Sequence, residues 1–135
     1  MYATDLDASM VDLFVGNGSV KSKARASLSL SEASYPGNEL AACKIGGPLG
    51  DPENPPCARL VFTGNVSKVL TSTPEDIQAK DALFARHPSF KNYPSGHAFY
   101  VAKLNIDKIW LIDTFGGAAA IEPNEYYKVK TNRIK

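Results

Sequence analysis

The stretch from His97 to Gly117, HAFYVAKLNIDKIWLIDTFGG, constrains the fold most. HAFYVAKLNI has apolar residues on both faces of an extended chain, which predicts a strand buried on both sides. IWLID is a second extended run. Asp107-Lys108 between them reads as a reversal, so the pair predicts a hairpin. The second run then meets Gly116 and Gly117. Adjacent glycines adopt positive φ without steric penalty. They could cradle a phosphate, reverse the chain or allow close backbone approach.

The remaining elements are short and separated by turn formers. MYAT reads as the end of a strand. In DLDASMVDLFVGNG, Asp5 or Asp7 can cap a helix whose apolar stripe is Met10, Leu13 and Phe14. ARASLSLSEA alternates Ala24, Ala26, Leu28 and Leu30 with polar residues, predicting a strand with one buried face. A long strand over 57–70 carries Gly64, the mark of a bulge or close contact. The best-marked helix follows. Thr73 caps it, Pro74 takes the first position, Asp76 makes a variant capping box, and Arg86 and His87 suit the negative end of its dipole. Pro88 forces the chain out of that helix. IEPNEYYKV predicts a last short helix. Extended antiparallel strands with few helices point to a small β-barrel with helices outside it.

Residues 34–56 hold five of the nine prolines and lie largely between the two cysteines, Cys43 and Cys57. A loop this long in a small domain is functional or stapled. The cysteines are too widely spaced for a Cys-x-x-Cys redox or zinc pair. They are two free thiols or one disulfide, which requires an oxidising compartment.

At 135 residues, one domain that buries a real core is expected. The net charge of +1 gives no sign of nucleic-acid capture. No apolar run reaches membrane-spanning length, so membrane insertion is not expected. The opening residues lack the charged and apolar regions of a signal peptide. Asn17-Gly18-Ser19 and Asn65-Val66-Ser67 are sequons, making Asn17 and Asn65 candidate glycosylation sites.

His87 and His97 are the natural acid–base candidates, but no nucleophile motif accompanies them. Structural use is the simpler reading, and no catalytic residue is assigned. Asp113 suits hydrogen bonding to the glycine turn. Phe99, Tyr100 and Trp110 suit a barrel core or a dimer interface better than stacking on a flavin. Two separated histidines form no metal-ligand pattern.

ALFARHPSFKNYPSGHAFYVAKLNIDKIWLIDTFGG closely resembles the C-terminal half of the CREG family of secreted glycoproteins. That family belongs to the pyridoxamine 5′-phosphate oxidase-like, FMN-binding split-barrel superfamily. CKIGGPLGDPENPPC is similar to the family's cysteine segment, and the opening to its third strand and following helix. The resemblance implies a split β-barrel whose two N-terminal strands are missing here, so residues 1–135 read as a single, N-terminally truncated domain. It implies a Cys43–Cys57 bridge and structural roles for His87, Pro88, His97, Trp110, Asp113, Phe115, Gly116 and Gly117. The glycine pair becomes a chain-reversal element. Asp107 stands where a family sequon needs a hydroxyl, so glycosylation does not transfer site by site.

The implied function is that of a non-catalytic, secreted or endolysosomal glycoprotein. It acts as a homodimer on unidentified protein partners, with no cofactor expected. The alternatives are an FMN-dependent oxidoreductase and a haem-handling protein of the same fold. Lys21, Lys23 and Arg25 are the only early basic cluster for an FMN phosphate, and they read better as a solvated strand entry.

Overall fold

The computed structural model describes residues 1–14, 24–34, 43, 57–113 and 117–130. In chain order the elements are β1 (Tyr2–Ala3), α1 (Ala8–Phe14), β2 (Ala24–Ser31), β3 (Arg59–Lys68), α2 (Pro74–Arg86), β4 (Tyr100–Ile112), β5 (Ala118–Ile121) and α3 (Pro123–Lys128). The sheet order is β1-β4-β3-β2, with β5 paired to β4. The architecture is mainly β with three helices, as the strand-rich sequence predicts.

Local chemistry explains the helix starts. The carboxylate of Asp7 accepts the Ser9 N–H at 2.7 Å and caps α1. In α2, Thr73 Oγ1 accepts the Asp76 N–H at 3.3 Å. The Asp76 carboxylate does not return to the cap residue as a standard capping box does. It accepts the N–H of Ser72, one residue earlier, at 3.0 Å. Ser72 can present that N–H because its φ is 65°. Lys80, one turn on, also donates to Asp76 at 2.9 Å. These partners allow a carboxylate to stay ionised at 3% exposure.

The described residues form two compact units. The first comprises Met1–Ala26 and Asn65–Asn105. Its core is Ala3, Met10, Ala24, Val66 and Ala102, against which Leu13, Phe14 and Tyr100 pack. Antiparallel pairing sets Tyr2 opposite Val101 and Ala3 opposite Tyr100. The second comprises Ser27–Gly64 and Ile106–Lys135. There Ala33, Cys43 and Cys57 form one buried cluster. Ile109 is fully buried, and Phe62 meets the Tyr126 ring edge to face at 5.2 Å.

Two sequence expectations need correction, and a third narrows. Asp107-Lys108 does not reverse the chain, because β4 runs unbroken through 13 residues. The two residues are simply adjacent exposed positions in a continuing strand, and neither has positive φ. The chain reverses between Ile112 and Ala118, which pair with each other, and Gly117 has φ 81°. Alanines 118–120 thereby form a strand that their composition does not announce. The apolar face of β2 is not buried along its length. Ala24 is buried, but Leu28 and Leu30 are 48% and 50% exposed. Trp110, expected in a barrel core or a dimer interface, is 48% exposed opposite Ala120, which leaves the interface of those two settings.

Candidate functional site

The fold concentrates side-chain chemistry in the first unit, where the β1–α1 turn meets the end of β3 and the start of β4. Lys68 Nζ donates to both oxygens of Asp5, at 2.7 and 2.8 Å. Tyr100 donates its hydroxyl to Asp5 Oδ1 at 2.7 Å. The Lys68 ammonium also lies 4.1 Å from the centre of the Tyr100 ring and 5.2 Å from that of Phe14, a cation–π arrangement.

The electrostatics follow from these contacts. Lys68, and then the Tyr100 hydroxyl, hold the Asp5 carboxyl below its usual range. Burial, then the Asp5 hydrogen bond and the charges of Asp5 and Asp7, push the Tyr100 phenol well above its usual range. Asp5 therefore stays ionised and Tyr100 protonated across physiological pH. Neither is poised for proton transfer near neutrality. The cluster is a fastener that ties the β1–α1 turn to two strands.

A second constellation is aromatic. The Tyr2 ring lies 5.1 Å from Phe99, 5.8 Å from Phe90 and 6.3 Å from Tyr93, each within 24° of parallel. Phe84 meets Tyr2 edge-on at 5.4 Å. Both candidate histidines touch this cluster. His87 ends α2 by donating its N–H to Leu83 and stacks on Phe90 at 4.8 Å. Pro88 then opens a 3-10 turn, Pro88–Asn92. The His97 ring lies 6.0 Å from Phe99, and its carbonyl accepts a hydrogen bond from Thr4 Oγ1. Ala98, between His97 and Phe99, is left-handed with φ 47° and ψ 51°. The two imidazoles are thus brought to one ring cluster.

The other predicted positions are scattered. Asn65 lies in β3, half-buried, and its Oδ1 is buried without a hydrogen-bond partner among the described residues. Asn105 Nδ2 donates to the Asn65 carbonyl at 3.1 Å and to Ser67 Oγ, the sequon hydroxyl, at 2.9 Å. Asn17, Phe115 and Gly116 lie outside the described residues. Asp113 is exposed just beyond β4. Cys43 and Cys57 are joined in a disulfide with a Cα–Cα distance of 5.1 Å. Among the described residues, no three His, Cys, Asp or Glu side chains cluster as a metal site would require.

The Asp5–Lys68–Tyr100 cluster is absent from the sequence reading because its members stand 63 and 95 positions apart. No local pattern announces such a contact. The density of aromatic residues in FARHPSFKNYPSGHAFY was the visible signal for the ring cluster. Tyr2 at its centre could come only from strand pairing.

A family model described as CREG, beta-barrel matches residues 1–128. Protein CREG1 of Gallus gallus is 40% identical over 130 residues, covering 96% of this chain and 59% of the relative. Protein CREG1 of Homo sapiens is 48% identical over 79 residues, 58% of this chain and 35% of the relative. Protein CREG2 of Homo sapiens is 39% identical over 79 residues, 58% of this chain and 26% of the relative. The chain therefore spans about six-tenths of the length of the chicken relative and less of the human ones. The mainly β structure, the ordered sequence blocks and a family match over nearly the whole chain agree: this chain belongs to the CREG β-barrel family.

Proposed function

We propose that this chain is a CREG-like, non-catalytic glycoprotein of a secreted or endolysosomal compartment, acting through protein binding as a homodimer. The observation that carries the reading is the Cys43–Cys57 bridge, whose residues are 2% and 0% exposed. A bridge built into a buried cluster belongs to a protein that matures under oxidising conditions.

Two features support the non-catalytic part. The polar groups gathered at Asp5, Lys68 and Tyr100 satisfy one another and titrate away from neutrality. FMN, the cofactor that the superfamily resemblance implies, needs cations free to meet its phosphate. In the first unit Lys68, Lys80 and Lys103 each sit on a carboxylate, of Asp5, Asp76 and Glu75 respectively. Arg25 is exposed on β2 and already engaged, while Lys21 and Lys23 lie outside the described residues. The carboxylate-paired Lys68, Lys80 and Lys103 do not fit a phosphate clamp, whereas Arg86 and Lys91 of the same unit are exposed, and no flavin chemistry is derived from the paired lysines.

The test is the visible spectrum and solution mass of the protein, expressed with the flanking sequence that its relatives carry. A colourless dimer is expected. A yellow protein supports the FMN-dependent oxidoreductase instead, a Soret band supports the haem-handling reading, and a monomer removes the dimer.

A further inference from the structure

In the second unit, β5 pairs with β4 in a register that builds an uneven surface. Trp110 stands opposite Ala120, and Ile112 opposite Ala118. Residues directly opposite in an antiparallel pair project from the same face, as do residues two apart along one strand. Trp110, Ile112, Ala118 and Ala120 therefore share a face. Ile109 projects from the opposite face and is fully buried, so the Trp110 side is the one turned to water. Trp110 is close to half exposed, Ile112 is half-buried, and Ala118 and Ala120 are both exposed. Large side chains line β4 and methyl groups line β5, which makes a ridge beside a trough.

Such a surface is complementary to itself. Neighbouring strands lie about 4.8 Å apart, and sheets packed face to face about 10 Å apart. A twofold axis running along the strands, between β4 and β5, sets β4 of one copy over β5 of the other. The Trp110 ring of each copy then fills the space above Ala118 and Ala120 of the other. The two contacts are identical, as an isologous interface requires. An unrelated protein would need a matching ridge and trough, which a second copy carries by construction. Lys108, exposed and two residues before Trp110 on the same face, lies at the edge of the patch, where interfaces are polar.

We propose that the exposed face of β4 and β5, with Trp110 as its anchor, is where two copies of this chain meet. This rests on the homodimer reading and assigns the dimer a surface. Tryptophan is enriched among the side chains that dominate binding energy, and truncating such an anchor typically weakens binding about thirty-fold or more.

Trp110 is the single tryptophan of the chain, so its fluorescence reports on this face directly. Sedimentation velocity and emission spectra recorded across a dilution series of the chain test the assignment. A dimer is expected, with emission that moves to the red at the same midpoint as dissociation. Trp110→Ala should raise the dimer Kd about thirty-fold. Ala120→Arg, which puts a charged side chain in the trough, should raise it about a hundred-fold. Leu6→Arg alters an exposed apolar residue of the first unit and should leave the dimer intact. Circular dichroism checks that each variant is folded, and the wild-type emission series needs no variant. A monomeric wild type overturns both this surface and the homodimer reading. A wild-type dimer that Trp110→Ala and Ala120→Arg both leave intact overturns the surface alone. So does an emission maximum that stays fixed while the dimer dissociates: blue if a segment of the same chain covers Trp110, red if the interface lies elsewhere.

Discussion

Removing the Cys43–Cys57 bridge is the perturbation whose size is best defined by the structure. The two residues are 14 positions apart, and closing a loop of that length restricts the unfolded chain by about 3 kcal/mol. The bridge also lies in the buried cluster with Ala33. Replacing both cysteines with alanine avoids leaving a polar group in that cluster, so the loop entropy dominates the loss. For a chain of this length, about 3 kcal/mol corresponds to a fall in melting temperature of roughly 10 °C. Urea and thermal unfolding followed by far-UV circular dichroism, on the oxidised protein and on the double variant, measure it. A second comparison separates the bond from the side chains: wild type unfolded in reductant should approach the midpoint of the variant. The bridge is nearly inaccessible, so reductant should act only as the protein opens. If oxidised, reduced and double-variant proteins unfold at the same urea concentration, the bridge does not stabilise the fold as argued here.

Other perturbations have smaller, local outcomes. Thr73→Ala removes the α2 cap and should cost about 1 kcal/mol in the same urea experiment. Asp5→Asn should cost less than about 1 kcal/mol at neutral pH, because the Asp5–Lys68 pair is well exposed. Its pH dependence has a definite sign. The folded carboxyl titrates below its ordinary value of 3.8, so its contribution is present above that pH and vanishes as pH falls through the folded value. Urea midpoints of wild type and Asp5→Asn should therefore converge in acid. Tyr100 has the opposite sense. Its raised folded pKa favours the folded state below pH 10, and that contribution is lost as the phenol finally ionises. An ultraviolet titration should show one tyrosine ionising after the rest. Ala98→Gly relieves a left-handed alanine and should raise the melting temperature, with a gain of at most about 1 kcal/mol. Glycosidase treatment followed by peptide mass mapping should find Asn65 unmodified, since its Oδ1 is buried and its sequon hydroxyl is bound to Asn105.

What was legible in the sequence was what local chemistry encodes. The start of α2 is written in Thr73, Pro74 and Asp76, and its end in His87 and Pro88, so both boundaries were predictable. Asp5 and Asp7 both announced a start for α1, and Asp7 supplies the cap. The hairpin was misplaced because a polar pair inside a strand looks like a turn. Asp107 and Lys108 are exposed positions inside β4, while the true reversal lay between Ile112 and Ala118. Strand β5 was illegible, since alanine has little preference for strands and is held there by pairing with β4. Leu28 and Leu30 show that alternation identifies a strand but not what covers its face. The Asp5 cluster and the placement of Tyr2 among the rings depend on contacts across most of the chain, and only tertiary structure supplies them.

The most direct test of the central claim, that this CREG-family chain works without a flavin, is an FMN titration of the protein carrying its relatives' flanking sequence. After incubation with excess FMN and desalting, the account predicts an absorption spectrum free of flavin bands. A stoichiometric flavin spectrum retained through desalting would contradict it.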